Sequence, residues 1–290
     1  MRVDYISDLH IDFWVKEENP QNPKMKKQMS KYIKEIGVQE GELLVIAGDL
    51  GHIYNQDTLF LTMLKEYYKN IIIVRGNHDM YLVSKKIQKR YKFDWKERVN
   101  HYKDFCKLND IYYLDGNNIE INGKKIGGVG MSWDKSYYER ISKQKVSDTI
   151  VNELYLNTMN DGKFIFDKGD NYYVSMAYGR KYFHSTFNPF QYFEDEMNKL
   201  KKIEEGLDLM VSHYAPIVPP DIPSKHKDNY DTTFYFFEGL EEVRRIKPKK
   251  WIFGHTHVNY DFIFENTQFL CNPLGYPNEG RPTRITSIEI

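Results

Sequence analysis

Short apolar runs recur along the chain at residues 3–6, 43–47, 71–74, 207–211 and 251–253. Runs this short, separated by helix-length stretches, read as strands buried on both faces. Helices are predicted at 24–36 and 57–69, with Asp57 as N-cap of the second. A basic, aromatic stretch over 85–109 also reads as helical. Strands follow at 111–114, 119–121 and 125–131, with Asn122-Gly123 as a hairpin turn. From 133 to about 205 the strand pattern stops. This polar, aromatic segment is predicted mostly helical, with irregular loops around 160–170 and 179–189. After the strand at 207–211 come a proline-rich loop (216–223), a helix (233–245) and the strand at 251–253. The end is antiparallel in character: 261–265, a turn at Asn266-Thr267, 268–271, then 285–290. The fold class expected is α/β, a layered β-sandwich flanked by helices. One domain is expected over 1–290, with a mostly helical insertion at about 133–205.

Composition narrows the function. The chain has 290 residues, with 41 basic and 41 acidic side chains. That length holds one large core. The charge balance argues against electrostatic binding to nucleic acid or membrane. Cys106 and Cys271 lie far apart in sequence, so neither a disulfide framework nor a CxxC metal pair is expected. The chain opens on the run at 3–6, without a signal-peptide core, and contains no stretch of membrane-spanning length. A cytoplasmic protein without membrane association is expected.

The chemistry sits just after the apolar runs. Asp8 and His10 follow the first, two residues apart. If the strand continues through them, both point to one side. Asp49 follows Gly48, and a carboxylate has two oxygens with which to bridge two metal ions. In Gly76-Asn77-His78-Asp79, Asn77 offers a neutral carbonyl oxygen. Asp79 stands beside His78, where a carboxylate would hold the imidazole and raise its pKa. His213 follows the fourth run, and His255 and His257 follow the fifth with alternate spacing. Oxygen and imidazole donors from five strand ends suit two divalent or trivalent ions, Mn, Fe or Zn. His52 is read as a loop residue in preference to a substrate contact. Arg75 reads equally as a solvated turn arginine and as a phosphate contact.

In order and residue type, these motifs resemble the calcineurin-like metallophosphoesterases. The resemblance covers essentially the whole chain outside 133–205. Ser212-His213-Tyr214-Ala215-Pro216 and Cys271-Asn272-Pro273-Leu274-Gly275-Tyr276 are similar to the bacterial predicted phosphohydrolase branch. The resemblance implies that Asp8, His10, Asp49 and His257 hold one metal. It implies that Asp49, Asn77, His213 and His255 hold the second, with Asp49 bridging. His78 would be catalytic, over the phosphate, with Asp79 orienting it. Protein phosphatases of this superfamily carry an Arg shortly after Gly-Asp and lack the second His of Gly-His-x-His. This chain differs at both places, which argues against a dedicated protein phosphatase.

The function expected is hydrolysis of a phosphomonoester or phosphodiester by a metal-bridging hydroxide. The alternatives are a nuclease or cyclic-nucleotide phosphodiesterase on the same site, or an inactive scaffold. A small phosphorylated substrate is favoured over nucleic acid, since the basic run at Lys85, Lys86, Lys89, Arg90 and Lys92 reads as a solvated helix face. The 133–205 segment is expected beside the metal edge, with Tyr172, Tyr173 and Phe183 lining the pocket.

Overall fold

The computed structural model describes residues 1–168, 173–177, 180–184, 187–280 and 284–290; the side chains of 173–177, 180–184 and 225 lie outside the description. In chain order the strands are β1 (Arg2–Ile6), β2 (Gly41–Ile46), β3 (Tyr68–Ile73), β4 (Tyr112–Tyr113), β5 (Asn117–Ile121), β6 (Lys124–Val129), β7 (Tyr173–Ala177), β8 (Arg180–His184), β9 (Leu209–Ser212), β10 (Lys250–Phe253), β11 (Tyr260–Phe264), β12 (Thr267–Cys271) and β13 (Thr286–Glu289). One sheet has the order β13-β1-β2-β3-β4 and a second the order β11-β12-β10-β9-β6-β5, while β7 and β8 pair separately. β1, β2 and β3 are parallel, as are β6, β9, β10 and β12.

Alternation along these strands builds four layers. Val3, Tyr5, Leu43, Val45, Ile72 and Val74 meet Leu209, Val211, Ile252 and Leu270 between the sheets. Their neighbours point outward. Ile6, Leu44, Ile46, Ile71 and Ile73 pack under helices through Met29, Tyr32, Ile33, Phe60 and Leu64. Met210, Trp251, Phe253 and Phe269 pack under Trp133, Tyr155, Leu200, Val243 and Ile246. Strands covered on both faces must be apolar at consecutive positions, which is why they read as unbroken runs.

The helix Pro23–Glu35 shows the local logic. Asn22 accepts from Lys24 N–H, Pro23 opens the first turn, and Met25, Met29, Tyr32 and Ile33 form its buried stripe. Other elements differ from expectation. The second helix is Tyr54–Leu64, and Asp57 lies inside it, buried against Tyr102 and Arg98 instead of capping. The stretch 85–109 forms two helices, Lys85–Arg90 and Trp95–Leu108. Lys92 and Phe93 between them have φ of 53° and 54°, which ends the first helix. Tyr230–Tyr235 is a short 3₁₀ turn, and the α-helix follows at Leu240–Ile246. β11 and β12 form an antiparallel hairpin, but β12 then runs parallel to β10 and β13 crosses to the other sheet.

The segment after Val129 forms helices Ser136–Ser142, Asp148–Thr158, Asp161–Phe164 and Pro189–Leu200. It also contains the β7–β8 hairpin, where no strand was expected. Tyr172 and the side chains of Tyr173 and Phe183 lie outside the described residues. No described helix is long and apolar enough to cross a membrane.

Candidate metal centre

The parallel strands of both sheets end at one edge, where α/β folds place their ligands. There the two sheets are stitched together. Ser7 and Pro273 form a parallel bridge, Gly275 N–H donates to Asp8 O at 3.0 Å, and His255 N–H donates to Asp8 Oδ1 at 3.0 Å. Asp8 and His10 lie beyond β1, Asp49 beyond β2, and Asn77 to Asp79 beyond β3. His213 lies beyond β9, and His255 and His257 beyond β10.

The strands do not continue through these residues. Asp8, His10, Asp49, His255 and His257 have φ of 53°, 41°, 58°, 66° and 50°. Each sits in the left-handed region, which costs a non-glycine residue about 1–3 kcal/mol. Left-handed turns, not strand alternation, aim the side chains. The chain packs tightly at these turns. A Cβ on Gly76 would collide with Asp49 Oδ1, and one on Gly48 with His213 Nδ1.

All seven expected ligands converge. His10 Nε2 is 3.1 Å from His257 Nε2, and His257 Nε2 is 3.5 Å from Asp8 Oδ1. His213 Nε2 is 3.2 Å from Asp49 Oδ2 and 3.2 Å from Asn77 Oδ1. Asp49 stands between these groups. Its Oδ1 accepts from His78 N–H at 2.9 Å. Its Oδ2 faces both His213 and, at 4.0 Å, His10 Nε2. Asp8, His10 and His257 form one cluster of facing donor atoms, His10, Asp49 and His78 a second, and Asp49, His213 and His255 a third, each within 4.8 Å.

Partners outside these clusters set the imidazole tautomers, as metal ligands require. His213 Nδ1–H donates to Ala47 O at 2.8 Å, and His255 Nε2–H to Phe234 O at 3.0 Å. His257 Nδ1–H donates to Glu279 at 2.9 Å. The opposite nitrogen of each is left as a donor atom for the centre. His10 is the exception, because its buried Nδ1 has no partner among the described residues. Asn77 Nδ2 donates to Asp161 at 2.8 Å, which turns Asn77 Oδ1 inward. Asp161 is itself held by Tyr81 and Tyr155. This donor set fits two hard or borderline cations.

The electrostatics agree. Burial holds the His10 and His255 imidazoles neutral, with pKa values lowered to about 4 and about 3. Burial also opposes charge on His213 and His257, but Asp49 and Asp8 outweigh it and raise them to about 9 and about 10. Without a cation, protons occupy the nitrogens beside the two carboxylates. Metal binding displaces such protons, because a ligating imidazole must be neutral.

Asp79 does not contact the His78 ring as expected. Its carboxylate accepts from the backbone N–H groups of Gly76, Asp49 and Leu50 at 2.7, 3.1 and 2.9 Å. A carboxylate in a turn satisfies the nearest unpaired amides, and here those belong to the Asp49 loop. The His78 ring instead meets His52, Nδ1 to Nε2 at 2.8 Å, and Tyr276 OH at 3.3 Å from its Nε2. Its pKa is not raised: burial pushes it well below the usual imidazole value. Arg75 stays away from the centre. It is buried against Glu196 at 2.6 Å and packs against the rings of Trp95 and Tyr192. Arg98, also buried, donates to the carbonyls of Gly51, His52 and Asp79 and so fixes both loops.

A cavity of about 350 Å³ opens over the centre. Asp49, Asn77, His78, His255 and His257 form its floor, and Tyr81, Tyr235, Tyr276 and Thr158 to Asn160 its walls. The last three bring the 133–205 segment to the pocket. Asp12, Asp161, Glu279 and Tyr276 were not singled out as site residues in the sequence. Asp12 had a signal there in the continuation of the Asp8-x-His10 spacing by two more residues, and Tyr276 in closing the Cys271 to Tyr276 motif.

Known proteins resemble this chain in sequence or in fold. An uncharacterised protein, L509, of Acanthamoeba polyphaga mimivirus is 22% identical over 246 residues, covering 81% of this chain and 79% of its own. The crystal structure of phosphopantetheinyl hydrolase from Mycobacterium tuberculosis superposes with a TM-score of 0.66 at 13% identity, covering 98% of this chain and 95% of that one. At that identity the likeness is one of fold. The family model for calcineurin-like phosphoesterases matches residues 1–259, from β1 past both histidines beyond β10. With its motifs gathered at one edge of the sandwich, the chain belongs to the calcineurin-like phosphoesterase family.

Proposed function

We propose that this protein hydrolyses a small phosphomonoester or phosphodiester at a two-metal centre. Asp8, His10, Asp49 and His257 would hold one ion, and Asp49, Asn77, His213 and His255 the other. The observation that carries the reading is the position of Asp49, which joins one donor cluster with His213 and His255 and another with His10 and His78. Two bound ions, Mn, Fe or Zn, would supply a water nucleophile near neutral pH and neutralise phosphoryl charge.

The chain's own residues do the rest. The cavity over the centre has room for one phosphorylated group with a small organic body. His78 Nε2 borders that cavity. As an anionic substrate arrives, its charge raises the imidazole pKa, so Nε2 takes up a proton from solvent. His78 then holds that proton against the phosphoryl oxygens and delivers it to the leaving oxygen. Tyr276 and Tyr81 wall the site.

A small substrate is favoured over nucleic acid. Lys86 and Arg90 of the basic helix share their cavity with Glu17 and Glu18, a mixed lining that attracts a polyanion weakly. The test is a screen of Mn-loaded protein against phosphomonoesters, cyclic nucleotides, dinucleotides and single-stranded DNA. Turnover of small esters is expected, with loss in Asp49→Asn. Cleavage of DNA alone would make it a nuclease, and no turnover with both metals bound would make it an inactive scaffold.

A further inference from the structure

We propose that Asp12 and His52 form a positioning relay that sets the tautomer and orientation of His78. The kinetic part of this inference rests on the phosphoesterase reading above; the tautomer does not. The relay starts from a half-buried carboxylate. Asp12 lies in the short helix Ile11–Trp14, just after the β1 loop. Its Oδ1 accepts from His52 N–H at 3.0 Å, and its Oδ2 lies 2.9 Å from His52 Nδ1. His52 Nε2 lies 2.8 Å from His78 Nδ1.

The direction of each hydrogen bond follows from the first. An ionised carboxylate only accepts, so His52 Nδ1 carries the hydrogen. In a neutral imidazole the other nitrogen then accepts, so His52 Nε2 presents a lone pair to His78. His78 Nδ1 must therefore donate. That leaves His78 Nε2 facing the cavity, where Tyr276 OH lies 3.3 Å away. Nε2 is thus the one nitrogen of His78 open to exchange a proton with a bound phosphate ester. Ring packing holds the geometry: His52 stacks on Tyr81 with ring centres 5.4 Å apart, and His78 stacks on Tyr81 at 4.3 Å. Arg98 fixes the backbone of the same loop through His52 O at 2.6 Å.

Asp79, the carboxylate next to His78 in sequence, is committed to three backbone amides and has no part in this. Asp12 and His52 are positioning residues: neither borders the reacting atoms, and both act through His78. An Asp12→Asn side chain still accepts from His52 N–H, but its amide can donate to His52 Nδ1. That reverses the relay and sets two N–H groups against each other between His52 and His78.

The experiment has a spectroscopic arm and a kinetic arm. Histidine-labelled, zinc-loaded protein is studied by long-range nitrogen–proton NMR, with His52 and His78 assigned by their loss in His52→Gln and His78→Ala. Both rings are expected as the Nδ1–H tautomer, with His52 altered in Asp12→Asn. His78 found as the Nε2–H tautomer in the parent protein overturns the proposal. In the kinetic arm, Asp12→Asn is expected to lower kcat by roughly 10–100-fold, the scale for losing an orienting partner, with metal content and KM little changed. In a His78→Ala background the same substitution should cost nothing further. An equal loss in both backgrounds would show a general structural role and overturn the relay. His52→Gln, whose Oε1 can still accept from His78, should retain more rate than His52→Leu; should Asp12→Asn fail to fold, this pair decides. If the parent protein hydrolyses no phosphate ester, the proposed function fails while the NMR arm still decides the relay.

Discussion

The orientation of one side-chain amide ties the 133–205 segment to the metal centre. Asn77 can present either oxygen or nitrogen inward, and the Asp161 carboxylate decides for oxygen by accepting from Nδ2. Asp161→Ala removes that preference and leaves Tyr81 and Tyr155 without their shared acceptor. Mn affinity at the proposed site that includes Asn77 should fall by roughly 10–100-fold, as measured by calorimetry. Unchanged Mn affinity would mean that Asn77 is oriented by its backbone alone. At this scale the sequence showed the seven ligand candidates and His78, because acids and imidazoles just after apolar runs stand out. Asp161 and Glu279 could not be read. They act on other side chains from distant segments, and no spacing in the chain marks such a partner.

Among the elements, the ties between helices and the sheet end matter most. Asp115, in the connection after β4, meets Arg75 beyond β3 at 3.6 Å, Lys103 of Trp95–Leu108 at 2.6 Å and Lys199 of Pro189–Leu200 at 2.9 Å. Burial opposes its charge, but Arg75, Lys199 and Lys103 outweigh that and hold its pKa well below the ordinary carboxylate value. A depressed pKa contributes stability that is present above the unfolded value of about 3.9 and is lost as pH falls below it toward the folded value. Asp115→Asn should therefore cost roughly 1–3 kcal/mol at neutral pH. The gap to the parent protein should hold constant above about pH 5 and shrink below about pH 4, where urea unfolding reads it. A gap independent of pH would remove the electrostatic account. The strands were legible from their apolar runs, and the β5–β6 turn from Asn122-Gly123, whose φ values of 51° and 74° suit a tight hairpin. The break after Arg90 and the inward turn of Asp57 were not, since both depend on what the helices pack against.

In the whole molecule, loops from both sheets enclose the centre, so bound metal should act as a clasp between them. Five ligand candidates hold left-handed backbone, a strain that the surrounding packing offsets. Ligands that bind only the folded state stabilise it by about 2.7 kcal/mol at a hundredfold excess over Kd. Chelation should therefore lower the Tm of the purified protein, and added Mn should restore it. Asp49→Asn should show little response to either. A Tm indifferent to chelation would mean that metal does not join the two halves.

The sequence by itself determined the layered α/β class, the strand ends that carry donors, and the donor types. These follow from local periodicity and from which side chains can ligate, both of which are properties of short segments. Only the tertiary structure decided that Asp79 serves backbone amides, that Arg75 is buried away from the site, and that His52 and Asp12 stand behind His78. Those outcomes depend on which of several nearby groups a polar side chain reaches first. That choice exists only once segments far apart in the chain, such as β1, β3 and the helix Trp95–Leu108, have packed together.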